Sequence, residues 1–268
     1  MRLACSTSAF KSNIADALRA VARLGFSHVD VLANPGWNHI LPGQLADEFD
    51  ETARMLEELL AECGLTPIGL NIALGHLYDR RPAAVAERLA QLKALSALMQ
   101  RLRIPVAGFY PGYQTAERPW EDLLRDTVAS IREMLVIGSA AGVTLAIEPH
   151  FATPFQTVPQ ITRLLEEVPD LMIAYDPSHF VMQGLDLRAT APLLSRTAHV
   201  HLRDAGVGKM QMPVGHGTVD FAWLLGALAL NDYRGDCAIE YLPDLDGGVE
   251  PAILELKALV ERLLIVMD

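Results

Sequence analysis

Cysteine is scarce in this chain of 268 residues, which contains only Cys5, Cys63 and Cys237. No two of them are spaced as a CxxC pair, and three scattered thiols supply no disulfide framework. A disulfide-stapled secreted protein is therefore excluded, and a reducing cytoplasm is the expected location. We expect the three thiols to be small packed side chains.

Long hydrophobic runs are also missing. The N-terminal stretch lacks the apolar core of a signal peptide, and no segment approaches the roughly 18 uncharged apolar residues of a membrane span. The C-terminal stretch 251–267 contains Glu255, Lys257, Glu261 and Arg262, which is typical of an amphipathic closing helix. These features predict a protein without a membrane partner.

Positive charge is in deficit. The chain has 22 lysine and arginine residues against 33 aspartate and glutamate residues, giving a formal net charge of −11. Because nucleic-acid-binding proteins usually present a basic face, this balance argues against a nucleic-acid partner. The hydrophobic content of 51% is ample for a core, so the composition indicates a soluble enzyme.

A glycine-rich phosphate turn is absent after the first predicted strand, where residues 5–8 read CSTS. A doubly wound open sheet, the alternative architecture, more often carries such a turn. Strand and helix patterns instead alternate from end to end, without a linker or a shift in composition. The short apolar strands are typical of a parallel sheet buried on both faces. We therefore predict a single (β/α)8 TIM barrel over residues 1–268.

The predicted barrel has eight strands, each followed by a helical segment or a loop. The strands are residues 2–6, 28–32, 67–73, 104–110, 143–148, 171–176, 198–201 and 237–240. Proline and glycine signals set the clearest helix boundaries, which predict helices over about 11–24 and 45–63, one opening at Pro82, and one from Pro119 to Gly142.

Four of these strands end on a side chain that can bind a metal ion: Glu148, Asp176, His201 and Glu240. The separation between one and the next is about the length of one βα unit, and the carboxyl ends of barrel strands converge on one mouth. We therefore expect the four side chains to meet. Three carboxylates and one imidazole suit a divalent manganese, magnesium or cobalt ion better than structural zinc, which favours thiolates.

Five short motifs carry a resemblance to a known family. They are IEPH at 147–150, DPSH at 176–179, HVHLRD at 199–204, GHGTVDF at 215–221 and IEY at 239–241. In this order they resemble the signatures of the xylose isomerase-like TIM-barrel superfamily, in particular its sugar isomerase and epimerase branch, which includes D-tagatose 3-epimerase. The resemblance covers essentially the whole chain, with the diagnostic motifs in its second half.

The resemblance implies a site and a chemistry. Glu148, Asp176, His201 and Glu240 would hold one divalent cation, manganese first, with magnesium or cobalt as alternatives. His179 would contact the substrate oxygen or the outer shell of the cation. Glu148 and Glu240, from the fifth and eighth strands, would approach a bound sugar from opposite faces as an acid and base pair.

The chain departs from the family pattern at one substrate-binding position. The arginine usually found six residues after the metal-binding histidine is replaced by Val207. Arg203, at even spacing from His201, and Lys209, in an expected flexible turn over 205–210, are the candidates to replace it. Trp37, in the loop after the second strand, is a further candidate because it can stack on a sugar face.

Three other histidines have weaker expectations. His199 should face inward one layer below His201, where it either orients the ligands or is an ordinary core histidine. His76 follows the third strand and either reaches the mouth or lies on the surface. His216, in the glycine turn, receives no catalytic role.

The leading hypothesis is a metal-dependent isomerase or epimerase that moves a proton next to a carbonyl through an enediolate, acting on a small carbohydrate. The alternative is a lyase or dehydratase that eliminates a group from a keto-sugar or a 3-keto-glycoside. A nuclease resembling endonuclease IV is disfavoured by the acidic balance, and a non-catalytic sugar binder is disfavoured by the two retained glutamates. The oligomeric state, monomer or homo-oligomer, stays open.

Overall fold

The computed structural model describes residues 1–114 and 117–267, and in this part of the chain eight parallel strands close a barrel. The barrel strands are β1 (Leu3–Ser6), β2 (His28–Ala33), β3 (Thr66–Ile72), β4 (Val106–Phe109), β5 (Thr144–Ile147), β6 (Met172–Tyr175), β7 (Thr197–Leu202) and β10 (Cys237–Ile239). Their order around the barrel is β1-β10-β7-β6-β5-β4-β3-β2. The predicted (β/α)8 fold is therefore confirmed.

Helices surround the barrel and cover the outer faces of its strands. They are α1 (Ile14–Arg23), α2 (Pro42–Leu45), α3 (Phe49–Cys63), α4 (Pro82–Leu102), α5 (Trp120–Ala141), α6 (Val158–Glu167), α7 (Ser178–Val181), α8 (Ala191–Leu194), α9 (Phe221–Leu230) and α10 (Val249–Met267). Two 3-10 turns, Thr7–Ala9 and Leu187–Thr190, complete the connections. No helix within the described ranges is long and apolar enough to cross a membrane.

Local sequence signals explain where several helices begin and end. The side chain of Asn13 accepts a hydrogen bond from the backbone N–H of Asp16 at 2.9 Å, so α1 begins after Asn13 rather than at Lys11. Gly64 and Gly142 end α3 and α5 with φ angles of 64° and 66°, a left-handed conformation that favours glycine. The helix predicted over 45–63 begins later, as α3 at Phe49, and the separate short helix α2 precedes it.

The segment 205–210, expected to be a flexible turn, forms part of an antiparallel hairpin. Its strands are β8 (Asp204–Gly206) and β9 (Lys209–Met212). Gly208, at a φ of 75°, permits the tight turn between them. The carboxylate of Asp204 accepts hydrogen bonds from the backbone N–H groups of Gly215 and Gly217 at 2.8 and 3.0 Å, which fixes the base of the hairpin. The segment is therefore a hairpin with its turn at Val207 and Gly208, rather than one open turn.

Candidate metal and catalytic site

Four side chains converge at the carboxyl-terminal mouth of the barrel. Glu148, Asp176 and Glu240 directly follow β5, β6 and β10, and His201 lies within β7. All four are buried, and one donor atom from each lies within 4.8 Å of the other three. The structure thus brings together the residues that strand periodicity selected. Their role as metal ligands stays a prediction.

The imidazole of His201 lies between carboxylates on both of its edges. Its Nδ1 is 3.0 Å from Oε1 of Glu148 and 3.4 Å from Oε2 of Glu240, whereas its Nε2 is 2.8 Å from Oδ2 of Asp30 on β2. Burial acts to lower the pKa of His201, but the charge of Glu240 and the hydrogen bonds to Asp30 and Glu148 outweigh it, so the pKa is raised well above its usual value. Nδ1 is the nitrogen that faces the predicted cation.

The guanidinium of Arg203 is buried beside these carboxylates. It forms an ion pair with Asp176, and it donates to Oγ of Ser178 at 2.8 Å and to the backbone oxygen of Glu240 at 3.2 Å. Burial acts to raise the pKa of Asp176, but the charge of Arg203 outweighs it, so the pKa lies below its usual value. The three guanidinium nitrogens of Arg203 are therefore already engaged within the protein.

The two glutamates differ in protonation. Burial raises the pKa of Glu240 to about 7, despite the nearby charges of His201 and Arg203. Burial acts in the same direction on Glu148, but the hydrogen bond and the charge of His201 outweigh it, and the pKa of Glu148 is lowered. Two carboxylates with separated pKa values are a common arrangement for acid and base catalysis.

The charge balance of the site favours a bound cation. The buried carboxylates of Asp30, Glu148, Asp176 and Glu240 face one arginine, Arg203. Even a protonated His201 leaves the group with excess negative charge when all four carboxylates are ionised, and buried unpaired charge is costly. Three carboxylates and one imidazole are also the donor types that divalent metal ions accept. The residues present therefore fit a divalent cation.

A cavity of about 310 Å³ opens above these residues. This volume is near the lower end of the roughly 300–1,000 Å³ range of small-molecule sites. Trp37, His179 and Arg203, the predicted substrate-binding residues, all contribute to its wall. The other lining residues are Ser8, Leu32, Asn34, Asn71, Tyr110, Tyr113, Glu148, His150, Met210, Glu240 and Leu242.

His179 and His150 form one side of this cavity, with their ring centroids 3.8 Å apart. Nε2 of His179 is 3.5 Å from Oδ2 of Asp176 and 4.0 Å from Oε1 of Glu148. Burial lowers the pKa of His179 to about 3, so the ring is neutral near pH 7. The sequence interpretation gave His150 no role, although its place in the motif at 147–150 could have indicated one.

Asp30 and Asn71 are the main site residues that the sequence interpretation missed. Asp30, fully buried on β2, accepts hydrogen bonds from both His199 and His201. Asn71, on β3, donates from its side chain to Oε1 of Glu240 at 2.7 Å. The sequence did offer a signal for Asp30, because this carboxylate lies in the middle of the apolar strand 28–32 and an unpaired buried Asp is rare.

The weaker candidates, His199, His76 and Lys209, do not line the cavity. His199 faces inward below His201, as expected, with its Nε2 3.1 Å from Oδ2 of Asp30. The ring of His76 stacks on Tyr78 and does not line the cavity. Lys209 is exposed on the hairpin and is also absent from the cavity wall.

Val207, which occupies the position of the family arginine, lies at the tip of the hairpin with 76% of its surface exposed. It is not part of the cavity wall. Arg203 is consequently the one basic residue, besides the histidines, among the described residues that line the cavity.

The chain is similar to one family model and to several known proteins. A model of the xylose isomerase-like TIM barrel matches residues 18–261. An inosose dehydratase from Geobacillus thermodenitrificans is 27% identical over 146 residues, which are 46% of this chain and 47% of that protein. The matched region therefore spans about half the length of that curated relative.

Two solved structures are similar over nearly their whole length. A D-tagatose 3-epimerase-like protein has a TM-score of 0.80 at 14% identity, covering 99% of this chain and 98% of that one. The IolI protein with a bound zinc atom has a TM-score of 0.75 at 18% identity, covering 99% of this chain and 97% of that one. At these identities the similarity shows the fold.

Proposed function

Because the chain belongs to the xylose isomerase-like TIM-barrel family, we propose that it is a divalent-cation-dependent sugar epimerase or isomerase. The reaction would move a proton on the carbon next to a carbonyl group, through an enediolate. The observation that carries this proposal is the pair of glutamates, Glu148 and Glu240, which both lie within 3.4 Å of Nδ1 of His201 and line a cavity large enough for a sugar.

The cation would be held by Glu148, Asp176, His201 and Glu240, with manganese first and magnesium or cobalt as alternatives. When bound, a divalent cation stabilises the negative charge that develops on the two oxygens of an enediolate. The IolI structure, which has a similar fold, contains a zinc atom, and this supports a divalent cation in the present protein. Besides this cation, Arg203 would supply a permanent positive charge in the cavity wall.

The two glutamates would divide the proton transfers. Glu148, whose pKa is lowered, is ionised and can accept the proton from the carbon next to the carbonyl. Glu240 would return a proton from the other side, after taking it from solvent, because cation binding displaces the proton that Glu240 holds with a pKa of about 7. Return to the opposite face of the same carbon gives an epimer, and return to the neighbouring carbon gives an aldose–ketose pair.

The cavity favours an uncharged carbohydrate over a sugar phosphate. A phosphate group is usually bound by free arginine or lysine side chains or by open backbone N–H groups. Here Arg203 is committed to Asp176, Ser178 and Glu240, and Lys209 lies outside the cavity. The aromatic wall, with Trp37 as predicted, offers a face on which a sugar ring can stack.

Elimination from a keto-sugar is the second candidate function. The inosose dehydratase relative supports it. His150 lines the cavity near Glu148, but its Nδ1 donates to the backbone oxygen of Phe151 at 2.7 Å and its pKa is lowered, so its Nε2 accepts a hydrogen bond rather than donating one. The same glutamate would remove the proton in both reactions, so the two proposals differ in the fate of the enolate.

Carbon-bound proton exchange tests the proposal directly. The protein is loaded with magnesium, or with cobalt that is removed before observation, and incubated in heavy water with ketoses, aldoses and keto-inositols. Proton NMR then follows deuterium incorporation. We expect exchange at C1, C2 or C3 that a chelator abolishes. Loss of water or of an aglycone would instead support elimination, and neither exchange nor elimination across the panel would contradict both functions.

A further inference from the structure

Asp30 lies beneath the proposed cation site and has no contact with the cavity. Its side chain is fully buried, and its Oδ2 is 2.8 Å from Nε2 of His201 and 3.1 Å from Nε2 of His199. A carboxylate oxygen only accepts hydrogen bonds, so both rings donate from Nε2.

The barrel leaves room for this cluster at one glycine. Gly69 on β3 is the register partner of Asp30 on β2. A Cβ atom at Gly69 would lie 3.0 Å from Oδ1 of Asp30 and 3.1 Å from Cε1 and Nε2 of His199. These distances are tighter than ordinary van der Waals contacts. The small residue at this position therefore lets Asp30 and the two imidazoles pack together in the barrel interior.

We propose that Asp30 is a positioning residue that fixes the ring of His201 with Nδ1 directed toward the cation, and this inference rests on the proposed cation site. A neutral imidazole has one N–H group and one free lone pair. Before a cation binds, Nδ1 donates to Glu148 and Nε2 donates to Asp30. Loss of the Nδ1 proton would leave the lone pair on Nδ1, because Asp30 holds the other proton on Nε2. Without Asp30, the proton can move to Nδ1 and compete with the cation.

Asp30, His199 and His201 also form a group that could bind a cation themselves. One donor atom from each of the three lies within 4.8 Å of the other two. Positioning is the better explanation, since His201 already faces the upper carboxylates with Nδ1 and donates to Asp30 with Nε2. Cation stoichiometry separates these roles: positioning requires one bound ion for each chain.

The test is the dissociation constant of manganese or cobalt, measured by titration calorimetry on the full-length protein without substrate. We expect one ion to bind the wild type, and Asp30→Asn to weaken binding by roughly 10- to 100-fold. His199→Gln should stay within a few-fold of the wild type, because Asp30 keeps its bond to His201. The visible spectrum of bound cobalt should change in Asp30→Asn and stay unchanged in His199→Gln.

Two further variants separate positioning from folding. Asp236→Asn makes the same Asp-to-Asn substitution away from the cation site, at the amino end of β10. It should lower stability and leave the dissociation constant of the cation unchanged. Gly69→Ala, which presses on Asp30 without removing its charge, should weaken binding severalfold and supplies the test if Asp30→Asn does not fold.

The outcomes are distinct. A wild type that binds no divalent cation overturns the proposed function and this inference together. One-ion binding that Asp30→Asn leaves unchanged, or that Asp30→Asn and His199→Gln weaken alike, overturns the positioning role alone. Two ions in the wild type, reduced to one in Asp30→Asn, would make Asp30 a ligand and overturn the positioning role as well.

Discussion

The side-chain amide of Asn71 donates a hydrogen bond of 2.7 Å to Oε1 of Glu240. The two residues belong to strands that are not neighbours in the barrel, so this bond crosses the mouth from β3 to the end of β10. It occupies one oxygen of Glu240 and leaves Oε2 facing His201 and Arg203, at 3.4 and 3.5 Å. The orientation of the proposed acid therefore depends on the first half of the chain.

Replacement of Asn71 should consequently affect turnover more than folding. We expect Asn71→Leu to lower kcat at least tenfold, because a hydrogen bond to a charged group contributes about 1.5–3 kcal/mol. Steady-state kinetics with the substrate identified by proton exchange measures this effect. Asn231→Leu, at an exposed position after α9, is the matched control and should have wild-type kinetics. Equal kcat values for the two variants would remove Asn71 from the mechanism.

Substitution of the proposed proton donor should separate fold from chemistry. We expect Glu240→Gln to keep the barrel, since glutamine can still accept the hydrogen bond from Asn71, but to lose proton transfer. General acid–base groups contribute typically 10²–10⁴-fold to a rate. Deuterium incorporation in heavy water measures the loss, and circular dichroism checks the fold. Full turnover in this variant would show that Glu240 transfers no proton.

Cation binding should release protons in a pH-dependent way. Before a cation binds, the pKa of Glu240 is about 7 and that of His201 is well above its usual value, so both groups are largely protonated at pH 6. A cation must displace these protons, so its affinity should fall as the pH is lowered from 8.5 to 6. Calorimetry in buffers of different ionisation enthalpy counts the protons. The same count at both pH values would contradict the assignment.

The ion pair between Arg2 and Asp236 should make stability depend on acid pH. Arg2 donates to Oδ2 of Asp236 at 2.6 Å, where β1 and β10 begin side by side. Burial acts to raise the pKa of Asp236, but the hydrogen bonds from Arg2 outweigh it and the pKa is lowered. The stabilisation is therefore present above the unfolded pKa of about 3.9 and is lost as the pH falls through the lower folded value.

The contribution of this ion pair to the free energy of unfolding should be modest, because the Arg2 side chain is 53% exposed. Exposed ion pairs contribute at most about 1 kcal/mol. Urea unfolding of the wild type and Asp236→Asn should therefore differ by up to about this free energy at pH 7, and the difference should shrink below about pH 4. A difference that grows as the pH falls would reverse the sign of the proposed effect.

Much of the fold was predictable because each strand carries its own apolar pattern and each turn its own glycine or proline. The four side chains at the strand ends were predictable for the same reason, since every parallel strand delivers its last residue to one mouth. The hairpin of β8 and β9 was missed because Gly206 and Gly208 also suit a flexible turn. The break between α2 and α3 was missed because no glycine or proline marks it, as residues 46–48 read ADE.

By itself, the sequence determined that Glu148, Asp176, His201 and Glu240 would point into one barrel mouth, because strand period and parallel topology require it. Only the tertiary structure decided the partners of these side chains. Asp30 and Asn71 come from β2 and β3, and hydrogen bonds between residues so far apart in sequence depend on barrel closure and register. The pKa values of the glutamates were likewise decided by burial and neighbouring charge, which no local pattern records.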